Sequence, residues 1–334
     1  MQFSREHAVK FMAEKMASFG AAKEDAEITA EVLVEAELRE DPSHGVSCLI
    51  SILKSIKKGD IMPSKKPAVI MEKNATAVID GENILGPVSA SHALDIAMRK
   101  AKEHGIAAVS IRKSHHLFTL GYYTKIAAQN NFIGILTTST APAMAFPGTL
   151  EKILGTNPFS IGIPSENVPI ILDMSSSQVA RGKIKEAAKK GAKIPSNWAV
   201  DKYGKPTDDP EKALEGSLQP MGGHKGFALA LVIDILSGIL SESASGKEIF
   251  GTSMHANDEN KKTAYKGDLL IAIDISKFTD VNAFKARVAR LTGEIKNSQT
   301  IDGSKIYIPG EKAYLNRNEL IEIDDKLYEE ITIF

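Results

Sequence analysis

The sequence has a single cysteine, Cys48, so no disulfide can close within the chain, and a reducing interior is the expected setting. It has almost no net charge: 41 basic side chains stand against 42 acidic ones, leaving a formal charge of -1. That balance excludes the clustered positive excess that a general nucleic-acid binder or a polybasic membrane surface needs. It also lacks a bilayer-length apolar run, because the greasiest stretch, residues 226–240, is about one buried helix long and contains Asp234. Residues 1–20 are charged and amphipathic, with no apolar signal core. A cytoplasmic protein that does not enter membranes is expected. The standard site motifs are missing as well. There is no G-x-G-x-x-G, no G-x-x-x-x-G-K-[ST], no H-E-x-x-H and no G-x-S-x-G.

What remains is an ordinary globular composition, 43% hydrophobic and 25% charged, in a chain long enough for one large domain or two lobes. Ser4 is placed to cap a helix over residues 5–19, with Phe11, Met12, Met16 and Phe19 on one stripe and Gly20 as its stop. Further helices are expected over residues 24–38 and 46–58, the latter ended by Gly59. A basic, proline-containing connector at 62–67 then precedes a change to shorter periods. Strands are expected at 68–70, 76–79, 106–111, 133–137, 159–163, 170–172 and 269–273. Helices are expected at 88–103, 120–129, 178–190, 226–240 and 282–295, and a polar loop over 241–266. The order points to α/β with a mixed sheet.

Three clusters could carry chemistry. Ser43-His44-Gly45-Val46 follows Glu40-Asp41-Pro42, where Pro42 should stop a helix and Gly45 permits a tight turn. The plain alternative is that Ser43 caps the next helix and His44 faces solvent. The second cluster, Ser114-His115-His116-Leu117-Phe118-Thr119-Leu120-Gly121-Tyr122-Tyr123, sets two histidines between a strand and a helix. An imidazole suits proton transfer because its unperturbed pKa is about 6.5. Of two successive loop residues only one normally points into a given pocket, so one catalytic histidine and one neighbour is the functional reading, and loop residues without a role are the plain alternative. No spaced His, Cys or carboxylate pattern surrounds the pair, so no metal is expected. The third cluster, Met221-Gly222-Gly223-His224-Lys225-Gly226, precedes an apolar helix, and its glycines, helix N-terminus and lysine read as a pyrophosphate cradle or, more plainly, as a glycine-rich helix entry with an exposed lysine.

Taken in order, these clusters resemble the malate/L-lactate dehydrogenase family, the non-Rossmann NAD(P)-dependent 2-hydroxy-acid oxidoreductases. The matching stretches are "SHGV" at 43–46, "SHHLFTLGYY" at 114–123, "TSTAP" at 138–142, "GTNP" at 155–158 and "LDMSSS" at 172–177. They continue with "GK" at 182–183, "IPSNWAVDKYGKPTDDP" at 194–210, "PMGGHKG" at 220–226 and "IPGE" at 308–311. The resemblance implies an α/β, mixed-sheet, non-Rossmann fold with helical N- and C-terminal segments, and a homodimer. It divides the chain into a helical, dimerising subdomain, residues 1–67 with about 282–334, and a mixed-sheet cofactor-binding domain, residues 68–281.

By the same resemblance His116 and His44 line the reaction centre, with His116 the proton-transfer residue named first, and Ser43 and Asp173 orient or polarise groups nearby. NAD or NADP would be bound at Ser139, Thr140, Leu172, Asp173, Met174, Ser175, Ser176, His224, Lys225, Pro309, Gly310 and Glu311. The implied reaction is hydride transfer between the nicotinamide and a small 2-hydroxy acid or its 2-keto form, with malate/oxaloacetate as the first expectation. Lactate, sulfolactate, ureidoglycolate or a cyclic imino acid is the alternative within enzymes; a catalytically silent dinucleotide-binding protein is the alternative outside them. The chain departs from the family pattern at Cys48, where many relatives carry a carboxylate-clamping arginine, at His115 to Phe118, and at Ser139. Lys113, Arg181 and Lys183 are the cations considered as replacements.

Overall fold

The structure, a computed structural model, describes residues 1–250, 266–316 and 320–334. The chain opens with β1 (Gln2–Ser4) and α1 (Arg5–Ser18), whose N-cap is Ser4, its Oγ accepting from the His7 N–H at 3.2 Å. Two helices follow, α2 (Lys23–Leu38) and α3 (Leu49–Lys58), the latter closed by Gly59 at φ 82°. Next come β2 (Ala68–Lys73), β3 (Thr76–Asp80), α4 (Gly86–His104), β4 (Ile106–Ser114), α5 (Gly121–Gln129) and β5 (Phe132–Thr138). Five short strands and a helix occupy the middle of the chain. In order they are β6 (Met144–Ala145), β7 (Lys152–Leu154), β8 (Phe159–Ile163), β9 (Ile170–Met174), α6 (Arg181–Lys190) and β10 (Ala199–Val200). Then follow α7 (Pro210–Glu215), β11 (Ser217–Leu218), α8 (His224–Asp234) and β12 (Lys266–Asp274). The chain ends with α9 (Val281–Lys296), α10 (Glu311–Leu315), β13 (Leu320–Glu322) and α11 (Asp325–Ile333).

These elements form two compact units, Met1–Leu136 with Ser160–Asp173 and Leu270–Phe334, and Thr137–Phe159 with Met174–Leu269. The main sheet has the order β2-β3-β4-β12-β5-β8-β9. It is mixed, as expected: β2 and β3 pair antiparallel, β3 and β4 parallel. Both termini join the first unit through β1 and β13, which pair antiparallel with Phe3 opposite Ile321. In the first unit α4 packs on β3 and β4 and also contacts α2, which binds the sheet to the N-terminal helices. The second unit carries the sheet β10-β11-β6-β7 around Met144, Leu154, Ile184, Ile194 and Leu218.

Several elements differ from the sequence expectation for local reasons. In α1 the buried positions are Ala8, Met12, Ala13 and Met16, whereas Phe11 stacks on Phe3 and Tyr328. The helix expected from 178 starts at Arg181, because the preceding loop is tied by the Gln178 N–H to the Gln219 carbonyl and by a bridge between Ser177 and Pro220. The single apolar helix expected over 226–240 is α8 continued by a wider π-type turn, Ile235–Ile239. Of the loop expected over 241–266, residues 251–265 lie outside the described residues, and Lys266 already opens β12.

Candidate active site

The Ser43–His44 cluster folds as a 3₁₀ turn, Pro42–His44, with Asp41 at its N-cap and Pro42 at its first position. Glu40 enters it at φ 58°, a left-handed backbone that a non-glycine residue adopts at a cost of about 1–3 kcal/mol. Ser43 does not cap the following helix. Its Oγ donates to Asp41 Oδ1 at 2.7 Å and lies 2.9 Å from His44 Nδ1. His44 Nδ1 also meets Asp41 Oδ2 at 2.9 Å. With the serine hydrogen given to Asp41, Nδ1 must carry the imidazole hydrogen, which leaves Nε2 with the lone pair in the neutral ring. Burial opposes the charged form of His44. The Asp41 hydrogen bond and the charges of Asp41 and Asp173 outweigh it, and hold the imidazole above its ordinary value.

The two successive histidines are placed differently. His115 is buried, while His116 is half-buried and faces His44, ring centroids 5.6 Å apart and tilted by 32°. The loop is held under strain from both sides, by Lys113 at φ 49° and Phe118 at φ 61°. It is also braced from behind. Gly86, at the start of α4, lies so close that a Cβ there would sit 2.2 Å from the His116 carbonyl oxygen. Tyr123, fully buried, donates its hydroxyl to the Leu117 carbonyl at 3.0 Å. His116 Nδ1 accepts from the Phe118 N–H at 2.9 Å, so the neutral ring carries its hydrogen on Nε2. The two imidazoles therefore hold opposite tautomers.

Asp173, on β9, lies at the N-terminus of α5. Its Oδ2 accepts from the Gly121 N–H at 2.6 Å and from Thr119 Oγ1 at 3.1 Å. Burial dominates and pushes the Asp173 carboxyl up, against the pull of that N–H, Arg39, Thr119 and His44. Arg39 closes the cluster: it donates from Nε to Glu35 Oε1 at 3.0 Å and from its amino group to the Gly121 carbonyl at 3.2 Å. Glu35 Oε2 also holds Lys125 at 2.6 Å. Burial works against the Glu35 charge, but Lys125 and Arg39 more than offset it and keep this carboxyl below its usual range. Gly121 must be glycine, since a Cβ would meet an Arg39 guanidinium nitrogen at 2.4 Å and Asp173 Oδ2 at 3.0 Å. Cys48 is buried, donates to the Ser43 carbonyl at 3.2 Å and has its thiol pushed up by burial, so it cannot replace a cationic clamp. Lys113 is committed to Asp80 at 2.8 Å, and Arg181 and Lys183 belong to α6 in the second unit. The cation that the histidine cluster does contain is Arg39, which the sequence left unmarked at the end of α2.

The second unit gathers the glycine-rich and serine-rich loops. The Met221 N–H donates to the Ser176 carbonyl at 2.9 Å, and a Cβ on Gly226 would strike Met221 and the Ser176 carbonyl. Gly222 and Gly223 have φ 60° and 65° with nothing near a would-be Cβ, so their backbone faces open space. His224 and Lys225, both exposed, begin α8, and Lys225 has no carboxylate partner among the described residues. An open backbone, a helix N-terminus and a lysine without a carboxylate partner are groups that could receive the phosphates of a dinucleotide. Other expected residues sit behind this surface. Ser139 is fully buried and bonded to the Gly267 carbonyl, and Ser176 Oγ donates to the Thr156 carbonyl at 2.7 Å. Thr140 is fixed by Asn157 Oδ1 at 2.9 Å, and Asn157 reaches the Ala230 carbonyl of α8 at 2.9 Å. Ser175 Oγ accepts from Ser177 at 3.0 Å.

Leu172 and Asp173 fall in the first unit with Pro309, Gly310 and Glu311. The Pro309 carbonyl accepts from the Ile171 N–H at 3.0 Å, and Gly310, at φ 81°, has no room for a Cβ against Ile171. Glu311 is buried, bonded to the Ile308 N–H and to Lys296. These contacts make the Pro309–Glu311 turn a brace for β9. Among the described residues no group of three His, Cys, Asp or Glu side chains could hold a metal ion.

The family model described as malate/L-lactate dehydrogenase matches residues 3–332. Among solved structures, the sulfolactate dehydrogenase of Methanocaldococcus jannaschii superposes with a TM-score of 0.92 at 42% identity, covering 99% of this chain and 95% of that one. A malate/(S)-sulfolactate dehydrogenase of Methanothermus fervidus is 42% identical over 94% of this chain and 91% of its own length. A Δ1-pyrroline-2-carboxylate reductase of Burkholderia ambifaria is 31% identical over 93% of this chain and 91% of its own.

Proposed function

Because the chain belongs to the malate/L-lactate dehydrogenase family, and is thereby an oxidoreductase using a nicotinamide dinucleotide, we propose that its substrate pair is malate and oxaloacetate. The observation that carries the chemistry is the pair of facing imidazoles with opposite tautomers. In alcohol oxidation His44 Nε2 takes the hydroxyl proton, and in keto-acid reduction the imidazolium returns it. His116 is assigned the complementary part, its Nε2–H donating to the same substrate oxygen as charge develops there. The hydrogen bond from Phe118 to His116 Nδ1 favours this division, because moving a proton through His116 would require breaking it. Ser43 bridges Asp41 and His44, and Asp173 adds negative charge that favours the imidazolium. A nicotinamide dinucleotide, when bound, would supply or accept the hydride. The second unit's Gly222–Lys225 stretch is proposed to hold the dinucleotide phosphates, for NAD or NADP, with Ser139, Thr140 and Met174 to Ser176 shaping the loops behind it.

Sulfolactate and sulfopyruvate are the second reading, favoured by the names of two relatives at 42% identity. Malate and sulfolactate are both dianions with the same carboxylate on the reacting carbon, and differ in whether a carboxylate or a sulfonate is carried by the neighbouring methylene. A cytoplasmic homodimer is also proposed. Its support is the exposure of Leu231, Val232, Ile235, Ile239 and Leu240, each between 44% and 58% exposed, and α9, none of whose side chains is fully buried in the monomer. The test is a panel of oxaloacetate, sulfopyruvate, pyruvate and a cyclic imino acid with NADH and NADPH, followed at the nicotinamide absorbance. Oxaloacetate should give the highest kcat/KM. A clear preference for sulfopyruvate or the cyclic imine would replace malate as the substrate, and silence across the panel would overturn the reading.

A further inference from the structure

Asp173 is the carboxylate that the family resemblance places beside the reaction centre, yet among the described residues its hydrogen bonds go to Gly121 and Thr119 and none reaches an imidazole. The carboxylate that does hold His44 is Asp41. We propose that Asp41 is a positioning residue for this reaction: bridged by Ser43, its carboxylate grips His44 through Nδ1 and thereby aims the Nε2 edge at the exchanging proton. The inference rests on the assignment of proton transfer to His44.

The local fold explains why Asp41 is suited to this. In a 3₁₀ turn residues three apart eclipse one another, so the N-cap and the third residue of Pro42–His44 lie side by side. The His44 N–H donates to the Asp41 carbonyl at 3.1 Å, which fixes the spacing of the two backbones before any side chain is placed. Each carboxylate oxygen then has its own donor, Ser43 Oγ at 2.7 Å and His44 Nδ1 at 2.9 Å. With both oxygens engaged, rotation about His44 χ2 would break the Nδ1 contacts, so the ring is held in one orientation and one tautomer. The strained φ of 58° at Glu40 directs the chain into this turn. The ionisable groups facing His44 are Asp41 on its own turn, His116 across the rings and Asp173 on β9, with Glu37 of α2 behind Gly45 and Arg39 beside Asp173.

The sign follows directly. An ionised Asp41 favours the imidazolium, so its removal lowers the His44 pKa, and keto-acid reduction, which needs the proton, is lost from the alkaline side. The experiment uses the full-length protein with Asp41→Asn, Asp41→Ala and Asp41→Glu beside His44→Gln. Histidine ring ¹⁵N NMR reads the His44 tautomer and titration without turnover, and the pH dependence of kcat for oxaloacetate reduction reads its consequence. Wild-type His44 should be the Nδ1–H tautomer. Asp41→Asn and Asp41→Ala should shift its titration and the alkaline limb of kcat to lower pH, with kcat above neutrality down about tenfold or more, and Asp41→Glu should recover part of the loss. If Asp41→Ala does not fold, the near-isosteric Asp41→Asn carries the comparison. Unmoved titration and an unmoved limb in Asp41→Asn, with His44→Gln inactive, would overturn the role of Asp41 alone. A fully active His44→Gln would instead remove the assignment of proton transfer on which it rests.

Discussion

Gly86 provides a severe check on the placement of His116, because it has no side chain to take part in the chemistry and packs on the backbone of the histidine loop. In Gly86→Ala the new methyl would lie 2.2 Å from the His116 carbonyl oxygen, 2.7 Å from its carbon and 2.8 Å from the His115 carbonyl oxygen. Ordinary carbon–oxygen contacts begin near 3.3 Å, so the loop must retreat by about 1 Å. Alanine favours a helix over glycine by up to about 1 kcal/mol, whereas overpacking a tight contact costs about 1–3 kcal/mol. The net effect on folding is therefore a modest loss that the chain survives. A reacting group displaced by about 1 Å, in contrast, costs about 10²-fold in rate. The assay is kcat for oxaloacetate reduction at saturating dinucleotide, beside a thermal melt and a dinucleotide Kd by fluorescence. Turnover should fall about 10²-fold while the Kd, assigned by the proposal to the second unit's Gly222–Lys225 stretch, stays within about twofold. A folded Gly86→Ala protein with wild-type kcat would refute the argument that the loop backbone sets the reactive geometry.

Other expectations follow from the same contacts. His116→Ala should lower kcat by about 10²–10³-fold, as loss of a transition-state donor does, without moving the pH limb that belongs to His44; a shifted limb would return proton transfer to His116. Lys225→Ala should raise the dinucleotide Kd about tenfold, the scale of one charged hydrogen bond, and isothermal titration with unchanged affinity would remove Lys225 from the cradle. Glu35→Gln leaves Arg39 and Lys125 facing each other with no carboxylate between them, at side-chain exposures of 11% and 17%. Breaking a buried pair in this way costs about 3–5 kcal/mol, visible as a lowered Tm, and a melt unchanged from wild type would show that the cluster is solvated. Because the Glu35 carboxyl is held below its usual range, the stability it contributes is complete above the unfolded carboxylate pKa and is lost as pH falls through its folded value.

What could be read from the sequence divides along a physical line. Features written in local chemistry were legible: Ser4 as a cap, Gly59 as a stop, the helix 5–19 and the strand 159–163, which recurs with the same bounds. Pairings fixed by distant partners were not. β1 is three residues long and exists because Phe3 meets Ile321, and β6, β10 and β11 are two residues each, too short to carry a period. That α4 ties the N-terminal helices to the sheet was likewise not legible, since the sequence shows where elements change but not what they pack on.

The site followed the same rule. His44 and His116 lie in motifs and do face one another. Asp41 and Arg39 stand outside the quoted motif, and a helix end reading E-L-R-E-D looks like an ordinary solvated terminus. The signal that could have flagged Asp41 is its spacing, three residues before His44 across a proline, which places two side chains together only if the turn is 3₁₀. For Arg39 the signal was the buried acid four residues earlier, Glu35, which cannot be recognised as buried until Lys125 arrives from α5.

The central claim is that an imidazole at position 44 exchanges a proton with the oxygen on the carbon that gives or receives hydride. Single-turnover reduction of oxaloacetate by pre-bound reduced dinucleotide, compared between wild type and His44→Gln at neutral pH, tests it most directly. The account predicts that absorbance decay in the variant is about 10²–10⁴-fold slower with dinucleotide affinity intact. Equal decay rates in the two proteins would contradict it.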